Sequence, residues 1–468
     1  MMTGKYFQVN HLHNFINFLN RIHFLFLKST VVLVTGASGY IANHIIKQLQ
    51  EEGYRVRGTL RSLQDEDKVK RLNELCPDAA HKLELIEADL TKPDSWEPAV
   101  KDVEYVIHVA SPFPHQQPKD ENELVQTAVD GTQAILKACM AAKSIKRVVM
   151  TSSSVAVGYG AGHDPNKIFN EEDWTDPEKL DAYGKSKTMA EKAAWDYVKE
   201  LPDEDKIELA VINPGYVMGP AVNGTQCSSM EVIKRLLERS MPFVPKLNFA
   251  IVDVRDVAAA HIKAMTLPEA SGKRHLLVNT NMWMRDIAQT LAKVFKQQGY
   301  NVPTTNCPNP MLYIAGLFDK GVKMIIPQCG KIHKFDNSRM KNVLGIEPRD
   351  AKDTLIDMAY SLIEAGYIKR SKKYKGPHAA ADEAQEQEKK DVAKKEGEES
   401  EEKPKENGDV KEGEGDDLKK EKDGETDDKA EIKKEEEEKK SEEKKEEKSE
   451  DKSEDKKDGN TEETPAEK

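Results

Sequence analysis

The sequence predicts an α/β protein: a doubly wound parallel sheet, a smaller C-terminal lobe, and a disordered charged tail. Three observations predict it. Residues 31–42, VVLVTGASGYIA, read as strand, tight glycine turn and helix. Apolar strand-like runs then alternate with helix-period segments as far as Asn213, the pattern of repeated βα units. From about residue 376 the composition turns to Glu and Lys with no aromatic residue and almost no aliphatic ones.

The first unit carries the most information. Val31 to Val34 is a short β-branched run, as expected of a strand buried on both faces. Ile41, Ile45, Ile46 and Leu49 then recur at helical spacing. Gly36 permits a sharp turn, Gly39 allows backbone to approach a pyrophosphate without a Cβ between, and Ala42 lets the helix lie close on the sheet. The helix N-terminus offers unpaired N–H groups and about half a positive charge. The unit therefore suits a dinucleotide.

Further strands are expected over 54–60, 83–88, 103–110, 148–151 and 208–213, with long helices over 124–139 and 180–201. Ligands of such sheets lie beyond the carboxyl ends of the strands. Pro214, Gly215, Gly219 and Pro220 then break the rhythm. Helical stretches over 229–240, 256–265 and 284–298, separated by strand-like pieces at 251–254 and 275–278, read as a lobe that closes over the nucleotide and holds a substrate pocket. That lobe is drawn mainly from 214–250 and 277–345, within a globular part spanning 31–375 that ends after a helix around 355–365.

The ends read differently. The 468 residues carry a net charge of −12, yet residues 381–468 alone hold 38 acidic residues and 22 lysines, so the remainder is close to neutral at +4. Nothing marks the body as a nucleic-acid binder. The tail cannot bury enough apolar surface to offset roughly 1–2 kcal/mol of ordering entropy per residue. It is expected to be disordered, a solvating appendage or a segment that binds proteins. Residues 1–30 carry Phe15, Ile16, Leu19, Ile22 and Phe24 to Leu27, but Asn14, Asn17, Asn20, Arg21 and His23 interrupt them, so no clear membrane span is expected. They read as an extension ahead of the first strand. Five scattered cysteines without a CxxC pair predict a reducing, cytoplasmic setting and no metal site.

The second strand ends in RGTLRS, with Arg61 at its tip and no acid before Asp65. An acid there accepts from a ribose 2′-hydroxyl, whereas Arg61, joined by Lys68, suits a 2′-phosphate, so NADPH is the expected cofactor. Asp89, in EADL, is placed either to accept from an adenine amino group or to cap a helix. Tyr183 and Lys187 of YGKSK share one helix face. The fifth strand ends in TSSS, residues 151–154, thirty residues before the tyrosine. A strand-end hydroxyl facing a Tyr–Lys pair makes a proton-transfer site. Tyr183 is expected to donate a proton to a substrate carbonyl oxygen that Ser153 also binds. Lys187 is expected to hold the nicotinamide ribose and to lower the Tyr183 pKa.

TGASGYIA, HVASP, TSSS, YGKSK followed by AEKAAW, and INPGYVMGP together resemble the extended short-chain dehydrogenase/reductases. Within them the chain looks most like the dihydroflavonol 4-reductase-like branch, which includes cinnamoyl-CoA reductases and yeast NADPH-dependent methylglyoxal reductases. FNEEDW (Phe169 to Trp174) and VDVRDVAAAH (Val252 to His261) add to that likeness, which covers about residues 31–370. The resemblance implies an NAD(P)-binding Rossmann sheet and reduction of an aldehyde or ketone by Ser153, Tyr183 and Lys187. It implies cofactor contacts at Gly36, Ser38, Gly39, Tyr40, Ile41, Arg61, Lys68, Asp89, Leu90, Ala110, Thr151, Tyr183, Lys187, Pro214 and Val217. Ser111, Phe113, Tyr216 and Met218 are the candidates for the substrate pocket. His108 reads as a satisfied core residue. Two other readings use the same residues: an epimerase, dehydratase or hydroxysteroid-type dehydrogenase, and a non-catalytic nucleotide sensor whose tail recruits partners.

Overall fold

A computed structural model describes residues 29–112, 120–159 and 166–377. Phe113, most of the N-terminal extension and nearly all of the expected tail lie outside the described residues. The first half runs β1 (Val31–Val34), α1 (Tyr40–Glu51), β2 (Arg55–Leu60), α2 (Glu66–Asn73), β3 (Glu84–Glu87), α3 (Trp96–Val100), β4 (Tyr105–His108), α4 (Glu121–Ala142) and β5 (Arg147–Thr151). After β6 (Ile168–Phe169) come α5 (Ala182–Glu200), β7 (Glu208–Pro214), β8 (Tyr216–Met218), α6 (Met230–Leu237), β9 (Asn248–Asp253), α7 (Val254–Thr266) and β10 (Arg274–Leu277). The chain continues through β11 (Thr280–Trp283), α8 (Met284–Phe295), α9 (Asn309–Phe318), α10 (Lys320–Ile325), β12 (Lys334–Phe335), α11 (Ser338–Asn342) and α12 (Ala351–Glu364).

Seven strands form the main sheet in the order β3-β2-β1-β4-β5-β7-β10, every pair parallel. The order reverses between β1 and β4, which opens a crevice at their carboxyl ends. All four residues of β1 are buried, as a strand covered on both faces requires. On one face α1 and α7 pack Ile45, Ile46 and Leu49 with Val257, Ala258 and Ala260. On the other, α3, α4 and α5 pack Trp96, Ile135, Leu136, Ala190 and Ala194.

A second core joins α6, α8 and α12 through Ile233, Leu236, Leu291, Phe295, Leu355 and Met358, with Met218 and Ile251 from the small sheet β11-β9-β8. The rhythm change after Asn213 is thus not a clean exit from the first layer. Arg274 to Leu277 are all buried and pair with Val211 to Pro214, so β10 returns as the seventh strand. The alanines of α7 allow it to lie close against α1. Strands β8 and β11, of three and four residues, are too short to leave a period in the sequence. Among the described residues no helix is long and apolar enough to cross a membrane.

Candidate active site

The glycine turn sits at the mouth of the β1–β4 crevice. Gly36 has φ +66, and a Cβ there would lie 3.1 Å from the Cα of Ala110. Its N–H donates to the Thr59 hydroxyl at 3.0 Å, and its carbonyl accepts from Gly39 N–H at 2.8 Å. Gly39 is the N-cap of α1; no side chain caps the helix, and its first turn holds no acid. Thr35 Oγ1 accepts from the N–H groups of Val109 and Ala110 at 3.0 and 2.9 Å and meets His108 Nδ1 at 2.9 Å. With two N–H groups already on that oxygen, its own proton points at the imidazole. Burial and the nearby Lys187 charge push the His108 pKa down to about 3, so the ring is neutral and belongs to the core. This cradle, which a side chain at Gly36 would fill, fits the pyrophosphate of a dinucleotide.

A groove of 340 Å³ runs alongside it, lined by Ser38, Asn43, Lys68, Arg71, Thr225 and Tyr367 among others. Lys68 reaches Asp65 Oδ2 at 2.5 Å, and Asp65 in turn caps α2. Arg71, one turn further along α2, places a second cation on the groove. Its i+3 spacing from Lys68 is the sequence signal for it, one the strand-tip argument does not use. Arg61 is exposed at the end of β2, and its charge helps hold the Asp89 carboxyl below the usual range, after the backbone hydrogen bond from Thr91. Asp89 Oδ1 accepts from Thr91 N and Oγ1 at 2.9 and 2.8 Å, so it closes a turn and caps no helix.

The proton-transfer groups meet where β5 ends. Asp181 caps α5 by accepting from Gly184 N–H at 2.8 Å, which sets Tyr183 in the first turn. A Cβ on Gly184 would stand 2.8 Å from Val155 Cγ1, so this glycine brings α5 down onto the turn after β5. There the Ser153 side chain comes close enough to Tyr183 to act on its phenol. Ser153 Oγ also accepts from Val155 N–H at 3.2 Å. Ser152 instead donates to Glu191 at 2.5 Å, and the Thr151 hydroxyl meets buried His261 at 2.7 Å. Both point away from the phenol.

One expectation is corrected here. Lys187 was expected to make Tyr183 more acidic. Burial dominates instead and, with the Asp181 charge, pushes the Tyr183 pKa up to about 12, against the Ser153 hydrogen bond. Burial also pulls Lys187 down to about 8, opposed by Glu191. Tyr183 is thus fully protonated at neutral pH, the state a proton donor needs.

The other predicted residues divide by exposure. Ile41, Leu90, Ala110, Ser111, Tyr216 and Val217 are half-buried, and Pro214 closes β7 in the sheet. Tyr216 leans on Phe249 with ring centroids 4.6 Å apart. Leu90 packs on Gly131 of α4, where a Cβ would come within 2.8 Å. The Tyr40 phenol is held by the Gly219 carbonyl at 2.8 Å, leaving only its backbone for a ligand. Met218 is fully enclosed in the second core, so it packs that core and contacts no substrate directly. Among the described residues, no three His, Cys, Asp or Glu side chains are arranged to hold a metal.

The profile of the NAD dependent epimerase/dehydratase family matches residues 32–279. Cinnamoyl-CoA reductase 1 of Arabidopsis thaliana is 35% identical over 341 residues, covering 72% of this chain and 90% of the relative. The NADPH-dependent methylglyoxal reductase GRE2 of Saccharomyces cerevisiae is 32% identical over 360 residues, covering 71% of this chain and 98% of the relative. The crystal structure of yeast methylglyoxal/isovaleraldehyde reductase Gre2 complexed with NADPH superposes with a TM-score of 0.60 at 30% identity, covering 72% of this chain and 99% of the other.

Proposed function

The chain belongs to the NAD dependent epimerase/dehydratase family, and we propose that it is an NADPH-dependent reductase that converts an aldehyde or ketone to the alcohol. The observation that carries this reading is the placement of a fully protonated Tyr183 opposite Ser153, whose side chain acts on the phenol, one helical turn from Lys187. The glycine cradle at Gly36 and Gly39 would take the pyrophosphate, Lys68, Arg71 and Arg61 the 2′-phosphate, and Lys187 the nicotinamide ribose. Pro214 and Val217 would flank the nicotinamide.

Reduced nicotinamide supplies a hydride to the carbonyl carbon. Ser153 and Tyr183 hold the carbonyl oxygen by hydrogen bonds that strengthen as charge develops there. Tyr183 gives up its proton to that oxygen, because an alkoxide is a far stronger base than a phenolate. Lys187, cationic below about pH 8, stabilises the phenolate left behind.

The half-buried ring pair of Tyr216 and Phe249 fits an apolar or aromatic carbonyl substrate. A cytoplasmic setting is part of the same proposal, supported by the absence of disulfides among the five cysteines. The test is a carbonyl panel followed by NADPH absorbance, with wild-type protein and Tyr183→Phe in parallel.

A further inference from the structure

Glu191 lies on α5 one helical turn beyond Lys187 and two beyond Tyr183, and it is fully enclosed. Its carboxylate accepts from Ser152 Oγ at 2.5 Å, Asn213 Nδ2 at 2.7 Å, Arg274 Nε at 2.6 Å and Trp195 Nε1 at 3.3 Å. Three of these donors come from the sheet: Ser152 just after β5, Asn213 in β7 and Arg274 in β10. Asn213 also donates to the Ser153 carbonyl at 3.2 Å. Arg274 is held by the carbonyls of Glu171 and Asp173 at 3.0 and 2.5 Å and lies 3.8 Å over the Trp174 ring. A buried charge is costly unless it is paired and fully hydrogen-bonded. This one is, and its partners converge on the backbone that carries Ser153.

We propose that Glu191 is a positioning residue, which fixes Ser153 from behind through Ser152 and Asn213 and supplies the counter-charge for the Lys187 ammonium. The proposal deepens the reductase reading and rests on it for its catalytic consequence.

The groups facing Lys187 support it. Glu191 follows on the same helix face. His108, from β4, is neutral and contributes no charge. Tyr183 is protonated. Arg274 is bound to the Glu191 carboxylate, its Nε 2.6 Å from Oε1, and to the carbonyls of Glu171 and Asp173. Burial drives Lys187 towards the neutral amine, and Glu191 opposes it. Without the carboxylate, Lys187 loses its proton at lower pH.

The test uses Glu191→Gln in the full chain. Competitive labelling with acetic anhydride, read by peptide mass spectrometry, follows the ionisation of Lys187 without any turnover. The proton affinity of Lys187 is expected to fall about tenfold in E191Q, and the alkaline limb of kcat/KM to move to lower pH with it. Glu191→Asp, which keeps the charge, restores the titration while kcat stays reduced. If E191Q does not fold, the pair Glu191→Gln/Arg274→Gln, which leaves neither charge stranded, carries the same comparison. A folded variant whose Lys187 titrates as in wild type overturns the proposal, since a merely structural Glu191 lowers the Tm and leaves that titration in place. A chain that titrates as expected but reduces no carbonyl contradicts the reductase reading and leaves the role of Glu191 as counter-charge standing.

Discussion

Ser153, on the turn after β5, faces Tyr183 in the first turn of α5 closely enough to act on its phenol. Gly184 makes the approach possible and Asp181 fixes the start of the helix. Ser152, next in the chain, faces the opposite way into Glu191. The two serines should therefore respond differently to truncation. Ser153→Ala is expected to lower kcat roughly 10²-fold, within the range of a lost oxyanion donor, with little change in Tm. Ser152→Ala is expected to destabilise by about 1–3 kcal/mol by leaving the buried carboxylate short of a donor. Steady-state kinetics and thermal unfolding on both variants check this.

The groove beside the glycine turn predicts cofactor preference. Removing Lys68 or Arg71 as alanine should weaken NADPH binding about tenfold each, the scale of one charged hydrogen bond, and leave NADH binding unchanged. The loss should shrink as salt screens these exposed cations. Fluorescence titration with both nucleotides measures it.

Gly36 and Gly272 separate strain from crowding. Both have positive φ, at +66 and +70, but a Cβ meets Ala110 at Gly36 and nothing within 4 Å at Gly272. Alanine at either position should cost about 1–2 kcal/mol of backbone strain. Only Gly36→Ala should also lose NADPH affinity, because its Cβ intrudes on the cradle. Denaturation midpoints and nucleotide binding on the two variants distinguish the effects.

Stability should fall with acid. Burial lowers His44, His261 and His275 to about 4 and His108 to about 3. Unfolded histidines take up protons near 6.5, which the folded ones resist, so their contribution is present above that pH. It is lost as pH falls from 6.5 towards 4. Glu171 and Asp256, raised by burial, act in the opposite sense but are fewer. Denaturant midpoints between pH 7.5 and 4.5 should decline through that window.

The legible features were those with a local period or spacing. The βα alternation gave the strands of the first half, and VVLVTGASGYIA and YGKSK gave the turn and the Tyr–Lys face. The run TSSS located the hydroxyl but not its orientation, which depends on Glu191 and Gly184 arriving from thirty and more residues away. The return of β10 beside β7 was hidden because a four-residue strand after a lobe carries no label of the sheet it joins. The raised Tyr183 pKa was not legible because a sequence displays the neighbouring lysine and conceals the burial. Arg71 carries only its i+3 spacing from Lys68 as a signal.

The central claim is that Tyr183 protonates a carbonyl oxygen while NADPH is oxidised. It is tested most directly by NADPH consumption with an active member of the carbonyl panel, comparing wild type with Tyr183→Phe at matched nucleotide saturation. The account predicts a fall in kcat of about 10²–10⁴-fold with the NADPH affinity kept. Undiminished turnover by Tyr183→Phe would contradict it.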